Sequence, residues 1–232
     1  MGDHKKLFLT PYFGEFPNWW EYYLQNIESL KQYGYEFLID TDLQKFEQRV
    51  GDKLGITLPL LTGTRKLSDF RPALALLYAD EVRDYEFWGH TDFDCVYGRV
   101  DHFIDDAALS SLDIHSNHYC YMCGPWSLYR NTEKINNLFR EWPNWKWQMS
   151  DESPLGWVER EYSQIIDQRH NDGWLRRRYT HWQAKNPNDD THIEMRDGVL
   201  YDGGSEIFMH HFNRLKRWPP CLIASSKILK TE

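Results

Sequence analysis

Two aspartates, Asp92 and Asp94, stand one residue apart directly after the apolar and aromatic run 85–90. Two carboxylates at this spacing converge on one cation if the backbone turns where the run ends. A hard divalent ion such as Mg²⁺ or Mn²⁺ prefers oxygen ligands and often shares the phosphates of a substrate, so the protein supplies only two or three ligands. The pair therefore predicts a divalent metal site, with a solvated turn as the alternative.

A possible third ligand lies far along the chain, at His210 and His211 near the end of a late apolar segment. Because side chains alternate between the two faces of a strand, only one of these imidazoles can face a metal, and we prefer His211. A core histidine is the alternative, so the choice depends on the carboxylate pair. Lys216 follows in a basic segment that can meet a diphosphate or remain solvated.

The elements that must position these residues begin with a strand over 6–10 and a loop from Pro11 to Gly14. Asn18 and Glu21 form a capping pair for a helix that Gly34 ends, and a second strand over 35–39 leads to Asp40. A strand, a helix and a strand in this order predict a parallel pair. The run 85–90 then carries the acidic pair at its carboxyl end, where open α/β sheets bind ligands.

The rest of the chain predicts further elements less sharply. Ser68 or Asp69 can cap a helix that has Pro72 in its first turn and ends near Asp84. The patterns also predict helices over 131–140 and 157–170, and strands over 56–61, 119–122, 127–129, 199–201 and 206–212. We find no repeat and no low-complexity linker, so the fold expected is one α/β domain.

Composition excludes several classes of protein. The 232 residues carry 27 Lys and Arg against 35 Asp and Glu, a formal charge of −8, which argues against binding nucleic acid or anionic lipid through bulk charge. The sequence contains no run of about eighteen apolar residues, so it predicts no membrane span. The start of the chain has no secretory pattern, and four cysteines are too few for a disulfide framework, so we expect a cytoplasmic protein.

Aromatic residues are abundant, with 11 Trp, 14 Tyr and 12 Phe, and much of this content falls into three clusters. The clusters span 12–23, 142–147 and 157–182. Aromatic faces pack on the C–H faces of sugars, so a carbohydrate site is one interpretation, and an ordinary hydrophobic core is the other.

Taken together, four motifs resemble the nucleotide-sugar-dependent glycosyltransferases of GT-A fold, and most closely a poorly characterised bacterial subgroup. The motifs are Thr10–Gly14, Asp40, the segment Lys66–Pro72 and the segment Trp88–Asp94, followed by a late His-Phe. The resemblance implies a single GT-A domain over 1–232, with a central mixed, mostly parallel sheet flanked by helices. Its nucleotide-binding part would cover about 1–100 and its acceptor-binding part about 101–232.

The resemblance also implies roles for individual residues. Thr10, Pro11 and Tyr12 would hold the nucleobase, and Asp40 would bind the base or the ribose unless it is a helix cap. Beside the donor would lie Lys66, Asp69, Arg71 and Lys216, with a helix cap as the alternative for Asp69. Asp92, Asp94 and His211 would hold Mn²⁺ or Mg²⁺ at the donor's two phosphates.

An inverting transferase also needs a base for the acceptor hydroxyl, and Asp151 and Glu152 are the candidates. They follow the aromatic cluster 142–147, a possible acceptor platform; acids at a helix start are the alternative. The function expected is metal-dependent transfer from a UDP-sugar to a glycan or glycolipid acceptor in polysaccharide synthesis. Two rivals are a metal-dependent phosphohydrolase, which lacks the expected acid after the first strand, and a non-catalytic carbohydrate-binding module.

Overall fold

The computed structural model describes residues 4–59, 64–183 and 192–212. Within these residues the strands, in chain order, are β1 (Lys6–Pro11), β2 (Tyr35–Asp40), β3 (Phe87–His90), β4 (Cys95–Tyr97), β5 (Ile114–Ser116), β6 (Ser127–Arg130), β7 (Arg177–Tyr179), β8 (Ile193–Arg196), β9 (Val199–Asp202), β10 (Ser205–Glu206) and β11 (Met209–His211). Six of them form the central sheet, in the order β2-β1-β3-β6-β5-β7.

The directions of these six strands bring most of their carboxyl ends to the same side of the sheet. β1 pairs in parallel with both β2 and β3, and β5 pairs in parallel with β7. β6 is antiparallel to both β3 and β5, so it alone among the six runs in the opposite direction. The carboxyl ends of β1, β2, β3, β5 and β7 therefore meet at one side of the sheet, which we call the carboxyl edge.

Helices cover both faces of the sheet. The α-helices of the described residues are α1 (Trp20–Ser29), α2 (Leu43–Leu54), α3 (Leu74–Leu77), α4 (Val100–Phe103), α5 (Asp106–Ser110), α6 (Glu133–Asn136), α7 (Trp145–Ser150) and α8 (Ser163–Asn171). Apolar residues of α2, α3, α6, α7 and α8 belong to one core cluster, and those of α1, α4 and α5 belong to a second. The result is a three-layer α/β architecture, as the sequence predicts.

Alternation along β1 divides the two cores. Leu7 and Leu9 belong to the cluster with α2, whereas Phe8 between them belongs to the cluster with α1. A strand with both faces covered must be apolar at successive positions, which explains the continuous Leu-Phe-Leu run. Gly89 on β3 makes the close packing here possible, because a Cβ at that position would lie 2.6 Å from the carbonyl oxygen of Ser127 and 2.7 Å from the Phe8 ring.

Two smaller sheets lie on the α1 side. β4 pairs antiparallel with β11, and β8, β9 and β10 form an antiparallel sheet. The first pairing matters for the site because it aligns His211 with Cys95, the residue directly after Asp94.

Several predicted elements are wrong. Residues 119–122 form a loop, and no strand occupies 56–59, the described part of the predicted strand 56–61. The single helix predicted up to Asp84 is a 3-10 segment, Thr64–Ala73, followed by the short α3, because Pro72 provides no backbone N–H for an α-helical bond. α1 begins after Trp19, with no side-chain cap from Asn18.

The three aromatic clusters do not behave alike. Trp145 of the cluster 142–147 and Trp157 of the cluster 157–182 are both buried in the core with α7 and α8. The stretch 142–147 therefore contributes chiefly to packing. Trp147 is the exception there, with 57% of its surface exposed.

Among the described residues, no helix combines the length and the apolarity needed to cross a bilayer.

Candidate metal and donor pocket

A pocket of about 320 Å³ opens at the carboxyl edge, beside the ends of β1 and β3. Its wall contains Thr10 and Pro11 at the end of β1, Tyr12 directly after it, and the loop after β3, residues 91–94. Arg71 contributes from the 3-10 segment. Glu159 and His211 enter from the second half of the chain, so residues from both of the predicted parts build one cavity.

Asp92, Asp94 and His211 all line this pocket. The Nε2 atom of His211 lies 3.1 Å from Oδ1 of Asp94 and 3.8 Å from Oδ2 of Asp92. The pairing of β11 with β4 holds His211 in place, and Phe212 N donates to the carbonyl oxygen of Asp94 at 2.9 Å. His210, the alternative ligand, is buried with 1% exposure and does not line the pocket.

Of these three side chains, Asp94 and His211 lie close enough together to share a divalent cation, whereas Asp92, which pairs with Arg71, is not among the described ligand atoms that lie within 4.8 Å of one another. Two ligands at right angles on an ion with bonds of about 2.1 Å are about 3 Å apart, which is close to the separation of His211 and Asp94. Two carboxylates suit Mg²⁺ or Mn²⁺, and an imidazole nitrogen favours Mn²⁺ of the two. Cys95 also lies within 4.8 Å of Asp94 and His211, but burial raises the pKa of its thiol well above the ordinary value and so disfavours the thiolate form that binds metals.

Arg71 forms an ion pair with Asp92 at the pocket wall. Burial disfavours the charged guanidinium, but the Asp92 carboxylate outweighs that effect, so the pKa of Arg71 is raised. Gly124 makes room for the pair, because a Cβ there would lie 2.4 Å from Nη1 of Arg71 and 2.7 Å from Oδ2 of Asp92. A fixed cation thus lies beside a carboxylate of the candidate metal site.

Aromatic rings border the pocket next to β1. Tyr12 stacks on Phe16 with ring centroids 5.4 Å apart and meets Phe93 edge-to-face at 4.7 Å. Trp20 stacks on Phe16 at 4.3 Å, and Phe16 itself is 48% exposed. Of these rings, Tyr12 and Phe93 line the pocket, and Tyr12 is 7% exposed because its ring packs on both Phe16 and Trp20.

Lys66 and Asp69 do not reach the pocket. Lys66 is 1% exposed, and its Nζ donates to Oδ2 of Asp69 at 3.0 Å and to the carbonyl oxygen of Gln148 at 2.7 Å. The Asp69 carboxylate also accepts the backbone N–H groups of Leu155 and Gly156, each at 3.0 Å. This buried ion pair ties the 3-10 segment to residues 148–156, which is a structural role and not contact with a donor.

Three more of the predicted site residues, Asp40, Asp151 and Glu152, lie off the pocket wall. Asp40 accepts from the Tyr78 hydroxyl at 2.8 Å and from Asp42 N at 3.0 Å. Asp151 follows α7 and accepts the N–H of Ser153 at 2.8 Å, and Glu152 is exposed. The pocket carboxylate in that region is Glu159, which the sequence reasoning missed. Lys216 lies outside the described residues.

Glu159 lies in one turn of π-helix, Val158–Tyr162, directly before α8. Although its side chain as a whole is exposed, the surrounding protein desolvates the carboxyl group and raises the pKa of Glu159, while Arg71 opposes that shift. π-Helical turns are rare and frequent at functional sites, so the irregular winding is the local feature that marks this residue. Arg65, Ser68 and Thr91 also line the pocket and were not predicted.

Comparison with known proteins gives a match to one family model and matches to solved structures. Residues 8–218 match the model described as a family of unknown function (DUF6625). One similar solved structure is described as a glycosyltransferase involved in the glycosylation of the major capsid of PBCV-1. It has a TM-score of 0.45 and 16% identity, over 78% of this chain and 84% of that chain. No curated protein sequence matches significantly.

Proposed function

Since the chain belongs to the family of unknown function DUF6625, we propose its function from the pocket: metal-dependent transfer of a sugar from a nucleoside diphosphate donor to a glycan hydroxyl. The observation that carries the proposal is the convergence of Asp92, Asp94 and His211 in an open pocket at the carboxyl edge of an α/β sheet. Ligands of open α/β sheets bind at that edge. UDP is the donor nucleotide that we propose.

The pocket residues divide the work of holding such a donor. Asp92, Asp94 and His211 would bind Mn²⁺ or Mg²⁺, which when bound stabilises the charge that develops on the departing diphosphate. Arg71 and Arg65 line the same wall and supply positive charge toward phosphate oxygens. Tyr12 and Phe93 are the aromatic residues of the wall beside which a nucleobase would lie.

Glu159 is the base that we propose, in place of Asp151 and Glu152. It is the glutamate on the pocket wall, and a raised pKa makes its carboxylate a better proton acceptor near neutral pH. The carboxylate would take the proton of the acceptor hydroxyl while the hydroxyl oxygen bonds to the anomeric carbon and the bond from that carbon to the diphosphate breaks. The negative charge then resides on the diphosphate.

The test is donor turnover in the presence of Mn²⁺. UDP-glucose, UDP-galactose, UDP-N-acetylglucosamine and GDP-mannose are each incubated with the protein, and the released nucleoside diphosphate and free sugar are measured with water as the default acceptor. We expect release from one donor, reduced about a hundredfold or more in Asp94→Asn and in Glu159→Gln. Asp80→Asn, an exposed acid paired with Arg83, is the matched control and keeps the rate.

Release of inorganic phosphate without free sugar would contradict the proposal and assign a phosphohydrolase. Equal rates in the wild-type protein and in Asp94→Asn would mean that the Asp94 carboxylate takes no part in the reaction.

A further inference from the structure

A second aromatic surface lies at the carboxyl edge, away from Tyr12. It consists of His118, Tyr119, Tyr121 and His181, which we call the edge platform. The His118 ring stacks on Tyr121 with centroids 3.6 Å apart and lies 4.3 Å from Tyr119. His181 meets Tyr119 edge-to-face at 5.8 Å. Tyr119 is 69% exposed, the highest value among the exposed large apolar and aromatic residues that the structure describes.

The fold brings the two halves of the edge platform together from separate strands. His118, Tyr119 and Tyr121 lie in the loop after β5. His181 lies after β7, which is the parallel neighbour of β5. Thr180 N donates to the carbonyl oxygen of Ser116, and Trp182 N donates to Oδ1 of Asn117, each at 3.0 Å. These bonds fix the residues on either side of His181 against the start of the loop that contains His118.

The edge platform lies beside the pocket, although none of its four residues lines the cavity. The loop that carries it ends at β6 and includes Gly124, on which Arg71 and Asp92 rest. Tyr121 lies near Glu159: burial raises the pKa of the Tyr121 hydroxyl to about 12, and the Glu159 carboxylate contributes to the shift. Only β6 separates β5 from β3 in the sheet, so the two strand ends are about 10 Å apart, two strand spacings.

The chemistry of the edge platform suits a neutral, polyhydroxylated ligand. Burial and the neighbouring His181 lower the pKa of His118 to about 4, so its imidazole is neutral at neutral pH. Its Nδ1 accepts the N–H of Cys120 at 3.4 Å, which leaves Nε2–H as a donor for a ligand. Tyrosine rings add apolar faces with polar edges, which match the C–H faces and hydroxyl groups of a sugar ring. The platform itself contains neither a carboxylate nor a lysine or arginine.

We propose that the edge platform binds a sugar residue of the acceptor glycan and directs its hydroxyl toward Glu159. This inference rests on the proposed function and adds a place for the second substrate. It also replaces the aromatic stretch 142–147 as the acceptor surface, since Trp145 of that stretch is buried in the core.

The experiment measures sugar binding without any nucleotide. The probes are the methyl α- and β-glycosides of glucose, galactose, mannose and N-acetylglucosamine, followed by saturation-transfer NMR and by the ring proton resonances of His118. We expect at least one glycoside to bind and to shift the His118 resonances. Tyr119→Ala should weaken that binding about three- to tenfold, the range expected for one aromatic contact. Trp147→Ala, an exposed aromatic on α7, is the matched control and should bind as the wild type does.

Two results would overturn the edge platform: none of the glycosides binds, or Tyr119→Ala and Trp147→Ala bind equally well. A parallel titration with UDP and Mn²⁺ separates this failure from failure of the proposed function. Nucleotide binding without glycoside binding would remove the edge platform and leave the donor pocket standing. Glycoside binding without nucleotide binding would keep a sugar site and remove the transferase.

Discussion

Two acidic segments of this protein place similar side chains in opposite environments. Asp69 has Lys66 and two backbone N–H groups as partners and is 0% exposed. Asp92 and Asp94 also have cationic or imidazole neighbours, but their carboxylates line an open pocket. The first segment joins parts of the chain that are more than eighty residues apart, as the bond from Leu155 N shows. The second presents its charge to a ligand.

The comparison shows what separates a structural acid from a binding one. The spacing of residues in the sequence does not distinguish the two kinds of acid, since the resemblance assigned both segments to contact with the donor. What differs is access to a ligand, because Asp69 is 0% exposed whereas Asp92 and Asp94 line the pocket. Residues 148–156 close over Asp69, whereas the loop after β3 leaves Asp92 and Asp94 at the pocket wall.

The largest effect is expected from Asp69→Ala, which leaves the buried Lys66 ammonium without its counter-charge. Breaking a buried ion pair on one side costs about 3–5 kcal/mol of the free energy of unfolding. Urea denaturation measures it. Asp80→Ala is the matched control, because Asp80 and Arg83 form an ion pair of the same sequence spacing on the surface. That control should cost less than about 1 kcal/mol, and equal losses would mean that Asp69 is no more structural than a surface acid.

A smaller loss of stability, about 1–3 kcal/mol, is expected from Gly124→Ala, because the added methyl group overlaps the Arg71–Asp92 pair. It should also weaken nucleotide binding, since the displaced Asp92 belongs to the pocket. Gly51→Ala in α2 is the control: its Cβ meets no atom within 4 Å, and alanine there should leave stability equal or slightly higher. If the two variants behave alike in thermal denaturation and titration, the close contact at Gly124 has no consequence.

The smallest effect sharpens the comparison within the pocket itself. Arg71→Met removes the cation that shares Asp92 with the proposed metal, so Mn²⁺ alone should bind up to about tenfold more tightly. UDP with Mn²⁺ should bind more weakly, because phosphate loses a positive partner. Calorimetry measures both, with Arg83→Met as the exposed control. A decrease in both affinities would mean that Arg71 acts only by supporting the wall.

Much of the sheet was predictable because its signals are local. The apolar runs of β1, β2 and β3 and the carboxylates after β3 are contiguous in sequence, and the strand, helix and strand order fixes their parallel pairing. The alternation of side chains along a strand implied that only one of His210 and His211 faces the site, but it did not say which. The pairing of β11 with β4 then placed His211 beside Asp94.

The rest depended on contacts that a sequence pattern does not contain. Glu159 lines the pocket, and Asp151 does not. The chain between them forms neither a regular helix nor a strand before the π-helical turn, so no periodicity in the sequence indicates which of the two carboxylates faces the pocket. The resemblance placed Lys66 beside the donor, and no local pattern revealed its buried partners at Gln148 and Ser153, which are more than eighty residues away. The edge platform combines residues after β5 with one after β7, a neighbourhood that exists only once the sheet has formed.

The central claim is that Asp92, Asp94 and His211 form a metal-dependent site for a nucleoside diphosphate. Calorimetric titration of UDP and of GDP, with Mn²⁺ and then with EDTA, tests it most directly when repeated on Asp94→Asn. The account predicts that UDP binds with Mn²⁺, that EDTA abolishes binding, and that Asp94→Asn loses it while the variant remains folded. Binding that survives both EDTA and the substitution, or the absence of binding to either nucleotide, would contradict the account.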